Sequence, residues 1–67
     1  MKIFAERLKE LRQEKGLSHE AISVKTGIAK ACFSRWENGL TVVNGEQLII
    51  LARFFGVRAD YLLGLED

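Results

Sequence analysis

Apolar residues recur at steps of three and four through most of the chain, and glycines at 16, 27, 39, 45, 56 and 64 interrupt the pattern. Phe4, Leu8 and Leu11 fall on one face of a helix expected from about Ile3 to Lys15, which Gly16 stops. Ser18 is an N-cap residue for a second helix, with Glu20 and Ala21 in its first turn. Ile22, Ser23 and Thr26 are expected to face inward, and Gly27 ends the segment. A third helix is expected over about 29–38. At roughly 100° per residue, Ala29, Phe33 and Trp36 gather on one side, and Lys30, Ala31, Ser34, Arg35 and Asn38 gather on the other. Leu40 to Val43 reads locally as a strand, but nothing stands ready to pair with it, so an extended connection is expected. Asn44 and Gln47 form a capping box at the start of a fourth helix, whose stripe is Leu48, Leu51, Ala52 and Phe55, ended by Gly56. A short fifth helix, about Ala59 to Leu63, adds Leu62 and Leu63 to the core. The expected architecture is all-α, five short helices in one domain over residues 1–67.

Two consecutive helices joined by a tight glycine turn, the second with one polar face, are the layout of a helix-turn-helix. The outward face of the third helix then becomes a reading edge. Arg35 is suited to it because a guanidinium fork matches guanine O6 and N7. Lys30 is a cation at the unfavourable end of a helix dipole, which an anionic or base-edge partner would explain; a solvated lysine is the plainer account. Ser34 can bond base or phosphate, and Ala31 can touch a thymine methyl. Asn38 suits both a phosphate contact and ordinary helix termination. Trp36 shares a side with Phe33 and is expected in the core rather than stacked on bases. Cys32, at the edge of that side, is expected to be a small filler.

Composition narrows the picture. The chain has 67 residues, 48% of them apolar, enough for one small core. One cysteine, Cys32, allows no internal disulfide and fits a reducing cytoplasm. With one histidine, His19, beside it, no structural metal site or cofactor is expected. The longest apolar run, Leu48 to Ala52, is too short for a membrane span, and no signal peptide is expected. A catalytic pair would have to be His19 with Glu20 or Cys32, without an orienting third group, so no enzyme is expected. The net charge is only +1, so the placement of cations matters more than their sum. Lys25, Lys30 and Arg35 are expected to supply the attraction to phosphate.

Read in order, the motifs Arg7-Leu8-Lys9-Glu10-Leu11-Arg12, Gly16-Leu17-Ser18, Gly27-Ile28, Ser34-Arg35-Trp36-Glu37-Asn38-Gly39, Leu51-Ala52, Gly56-Val57 and Asp60-Tyr61-Leu62-Leu63-Gly64 cover nearly the whole chain. Together they resemble the Cro/lambda-repressor-type, or XRE-like, helix-turn-helix family. The resemblance implies a lambda-repressor-like domain that binds operator DNA, usually as a homodimer on two half-sites. It implies that His19 contacts a phosphate or the first base pair, that Lys30, Ala31, Ser34 and Arg35 face the groove, and that Asn38 reaches a phosphate. It also implies a partly buried salt bridge between Arg12 and Glu37. The sequence departs from the family pattern at three places. His19 stands where glutamine is usual. Ala29 replaces the usual capping serine or threonine. The loop after Gly39, Leu40-Thr41-Val42-Val43, lacks the usual cations.

The reading is therefore a DNA-binding transcriptional regulator of bacterial or phage type, a repressor acting as a homodimer, cytoplasmic and nucleoid-associated when bound. Ile50 and Phe54, one turn apart and opposite the stripe of the fourth helix, form an apolar patch for self-association or a protein partner. Val42, Val43 and Leu65 add apolar surface. Two alternatives stay open: an antitoxin-type autorepressor, and a protein-interaction module that has lost DNA binding.

Overall fold

A computed structural model describes residues 1–66; the last position of the expected 1–67 domain lies outside them. Five helices follow one another: α1 (Lys2–Glu14), α2 (His19–Thr26), α3 (Lys30–Glu37), α4 (Gly45–Phe55) and α5 (Ala59–Leu63). Among the described residues there is no strand, and residues 40–44 form the expected irregular connection. The fold is the all-helical, five-helix arrangement anticipated from the sequence, with boundaries within a residue of expectation.

Phe4 and Leu8 of α1, Ile22 of α2, Phe33 and Trp36 of α3, Leu51 of α4 and Leu62 of α5 close the core, joined by Ile28 and Val43 from the connections. Trp36 is only 2% exposed. Its ring meets Phe4 at 6.0 Å and Phe33 at 5.4 Å, both edge to face, a geometry aromatic rings favour. Cys32 is half-buried against this cluster. From α5, Tyr61 ties back to α1: the Arg7 guanidinium lies 4.2 Å from its ring centroid and donates to the carbonyls of Tyr61 and Glu66.

Local chemistry explains the boundaries. Ser18 Oγ accepts from the Ala21 N–H at 3.0 Å. Asn44 and Gln47 complete the capping box, with the Gln47 N–H donating to Asn44 Oδ1 at 2.8 Å. The turn of the helix-turn-helix rests on Gly27, whose φ of 75° lies in the left-handed region, where a side chain would be strained. Two hydroxyls finish that turn. Ser23 donates to the Ile28 carbonyl at 2.6 Å, and Thr26 Oγ1 donates to the Ile22 carbonyl at 2.7 Å.

Three placements differ from expectation. Ala29 is exposed rather than inward-facing, because it is the N-cap of α3 and lies before the first helical turn. Val43 is 8% exposed and belongs to the core. Phe54 is half-buried: it packs against the core, its ring 5.1 Å from that of Phe55. The wheel of α4 suggested one buried stripe, but the helix packs against both α2 and α5, so two of its sides are occupied.

Candidate nucleic-acid interface

The third helix is fastened from behind by Phe33 and Trp36, 0% and 2% exposed. Its opposite side carries Lys30, Ala31, Arg35 and Asn38, all exposed, with Ser34 half-buried between them. α3 therefore offers a row of hydrogen-bonding side chains to solvent on a rigid, core-anchored element. Ser34 stands deeper than expected.

Asn38 has a structural task already. Its amide Nδ2 donates to the Ser34 carbonyl at 2.7 Å, capping the end of α3. One amide hydrogen and the Oδ1 acceptor remain outside that bond. Lys25 stands apart from the row. It lies at the opposite end of α2 from His19, where with Lys15, Leu17 and Phe54 it lines a shallow groove.

Arg12 and Glu37 join α1 to the end of α3 through two hydrogen bonds. Nε donates to Oε2 at 2.8 Å and Nη2 donates to Oε1 at 2.9 Å. The third donor, Nη1, holds the Leu17 carbonyl at 2.8 Å, so one guanidinium also fixes the loop that leads into α2. The two side chains are 13% and 6% exposed. Burial pushes the Glu37 carboxyl upward, but the hydrogen bonds from Arg12, the approach of His19 and the positive charge of Arg12 together hold it below its ordinary value. The hydrogen bond to Glu37 raises Arg12 above its ordinary value against the opposing effect of burial.

His19 behaves differently from the expectation of a ring turned toward DNA. Its Nε2 lies 3.1 Å from Glu37 Oε1, and that nitrogen is buried. The distance is that of an ion pair, but the alignment falls short of a directed hydrogen bond. The nearby carboxylate favours the imidazole at ion-pair distance, which accounts for the inward turn. The first position of α2 thus contributes to the Arg12–Glu37 junction, with its side chain 31% exposed.

An acid missed at the level of sequence appears at the same end of the molecule. Glu20 Oε2 lies 3.6 Å from the Lys30 ammonium, joining the starts of α2 and α3. Ten positions and a turn separate the two residues, so helical periodicity alone gives no sign of the pair.

The apolar patch is redistributed. Ile50 is 39% exposed, whereas Phe54 is covered on one side by the core and approached by Lys15, whose ammonium is 5.5 Å from the ring centroid. Ile49, overlooked in the sequence, is 53% exposed on the same helix, and Leu40 and Val42 in the preceding loop are more exposed still. Leu65 is also exposed. Among the described residues no three metal-ligating side chains gather, and no helix is long and apolar enough to cross a membrane.

Comparison with known proteins agrees with this geometry. A protein-family model described as a helix-turn-helix domain matches residues 3–62. The chain is 37% identical to an uncharacterised HTH-type transcriptional regulator, YobD, of Bacillus subtilis, over 97% of this chain and 58% of that protein. It is 34% identical to the HTH-type transcriptional activator BcrR of Enterococcus faecalis, over 96% of this chain and 31% of that protein. It is 30% identical to repressor protein C2 of Salmonella phage P22, over 91% of this chain and 28% of that protein. The chain thus spans between about a quarter and three-fifths of the length of these relatives.

Proposed function

The chain belongs to the helix-turn-helix domain family, of the Cro/lambda-repressor type, and from that membership we propose that it is a sequence-specific double-stranded DNA-binding transcriptional regulator, a repressor that acts as a homodimer. The observation that carries the proposal is the exposed edge of α3, with Lys30, Ala31 and Arg35 held outward around the half-buried Ser34 by the buried pair Phe33 and Trp36. An eight-residue helix fits the major groove, and its residues can reach base edges while the start of α2 meets the backbone. Arg35 reads guanine. Ala31 lies against a thymine methyl, Ser34 bonds at the groove floor, and Asn38 uses its spare amide hydrogen on a phosphate. His19 acts mainly through Glu37, which sets the angle between α1 and α3. Lys25, away from the reading edge, adds only long-range attraction. Bound to an operator, two copies obstruct other proteins by occupancy, without a cofactor and without a catalytic step.

Binding to a randomised duplex pool at low salt, followed by sequencing of the retained DNA, tests the proposal. Arg35→Ala should relax the preference at one base pair, with a loss of about 1–3 kcal/mol on the best site. Lys25→Ala should weaken every sequence slightly and alike. Equal losses on all sequences for both variants would remove Arg35 from its assigned role. A second reading, an antitoxin-type autorepressor or a protein-interaction module that has lost DNA binding, is favoured by the exposed Leu40, Val42 and Ile49. In a pure interaction module the same pool would return no enriched sequence.

A further inference from the structure

The Glu20–Lys30 pair puts an acceptor and a donor side by side at the entrance to the reading edge. Its separation of 3.6 Å exceeds a direct hydrogen bond, and the side chains are 77% and 62% exposed. An ion pair so open contributes little to folding. It leaves most of its capacity unused, since an ammonium has three N–H donors and a carboxylate two oxygens with several lone pairs. Lys30 is the first residue of α3, the end of a recognition helix that meets base edges, and Glu20 lies in the first turn of α2.

The major-groove edge of a G·C pair carries the complementary pattern. Guanine presents N7 and O6 as adjacent acceptors, and cytosine presents its N4 amino donor next to O6. An ammonium spanning N7 and O6 would leave the neighbouring carboxylate to accept from N4. In an A·T pair both central groups are reversed. The ammonium would face the adenine N6 donor and the carboxylate would face the thymine O4 acceptor. We propose that Glu20 and Lys30 form one composite reader of a single G·C base pair, in a fixed strand orientation. This rests on the DNA-reading role of α3 proposed above and extends it to α2, through a residue that the helix-three pattern does not reveal. The carboxylate has a second consequence. It weakens attraction to phosphate at the start of α2, so Lys30 acts on sequence more than on backbone charge.

The test is selection from a randomised duplex pool with the unaltered protein, Glu20→Gln, Lys30→Met and the double variant, each checked for helicity by circular dichroism. The unaltered protein should fix G·C at one position, and each single variant should reduce that preference over A·T about tenfold. The double variant should lose no more than the worse single one, because the two groups read as a unit. A preference unchanged by Glu20→Gln overturns the composite reader. So does a Glu20→Gln variant that binds every sequence more tightly by the same factor, since the carboxylate would then only repel phosphate. Failure of the unaltered protein to enrich any sequence overturns the DNA-binding proposal itself, an outcome distinct from enrichment without the G·C position.

Discussion

The Arg12–Glu37–His19 junction shows how much one carboxylate can organise. Glu37 receives two hydrogen bonds from a guanidinium and the approach of an imidazole, while the third guanidinium bond holds the chain at Leu17. Removing one partner of a pair this enclosed strands the other, at a cost of roughly 3 kcal/mol. Arg12→Met and Glu37→Met should each lower the urea midpoint strongly, and the double variant should cost much less than the two summed. Additive losses would mean that the two residues stabilise the fold separately. The acid side has a definite sign. Glu37 titrates below its ordinary value of 4.5. Its stabilising contribution is therefore complete above the ordinary value and disappears as pH falls through the lower, folded one. The stability gap between the unaltered protein and Glu37→Gln should be widest near neutrality and should narrow in acid. A gap that widens as pH falls would contradict this assignment.

Among the elements, the helix ends repeat one solution. At the close of α1, α3, α4 and α5 the last glycine donates three residues back and the following residue donates five back, as in Gly39 to Trp36 at 3.0 Å and Leu40 to Arg35 at 2.8 Å, the pattern of a Schellman motif. Helix starts vary more: Ser18 and Asn44 cap α2 and α4, whereas Ala29 offers α3 no side-chain cap. Its φ of −57° and ψ of 138° suit a capping residue. Ala29→Ser should therefore stabilise by about 1 kcal/mol, raising Tm by about 4–8 °C in a domain of this size. A thermal melt that does not move would show that the first N–H groups of α3 are satisfied otherwise. Gly27→Ala should act in the opposite direction. Nothing lies within 4 Å of a Cβ built there, so its cost, about 1–2 kcal/mol, is purely that of the left-handed backbone. These features were legible in the sequence because they are local: Ser18, Asn44 with Gln47, and the glycines each declare a boundary within four residues. Phe54, His19 and Glu20 were not, since each answers to a partner elsewhere in the chain. A helical wheel assumes a single buried side, and α4 has two. The inward turn of His19 depends on a carboxylate eighteen positions away, and the Glu20–Lys30 pair exists only once the turn at Gly27 has brought two helix starts together.

At the scale of the molecule, size bears on function. The described chain measures 28 × 24 × 21 Å, less than the roughly 34 Å between successive major grooves on one face of a duplex. One copy presents one recognition helix, so the base pairs it reads lie within a single half-site. Net charge of +1 supplies little non-specific attraction to compensate. Two copies side by side would double the contacts, and the exposed apolar residues Leu40, Val42, Ile49 and Ile50 lie on α4 and the loop before it, whereas Val24, 80% exposed, lies on α2. We propose α4 and the loop before it as the seam of the homodimer. Ile49→Glu should raise the dissociation constant of self-association at least tenfold in sedimentation equilibrium. It should leave Tm nearly unchanged, because the side chain is 53% exposed and surface substitutions usually shift stability by less than about 0.5 kcal/mol. On DNA, affinity for an isolated half-site should persist while cooperative binding to paired half-sites is lost. Phe54→Glu is the contrasting variant: its ring packs on the core, so it should lower Tm whatever the association state. If Ile49→Glu binds paired half-sites with full cooperativity, the subunits meet elsewhere, and the apolar face of α4 takes no part in operator recognition.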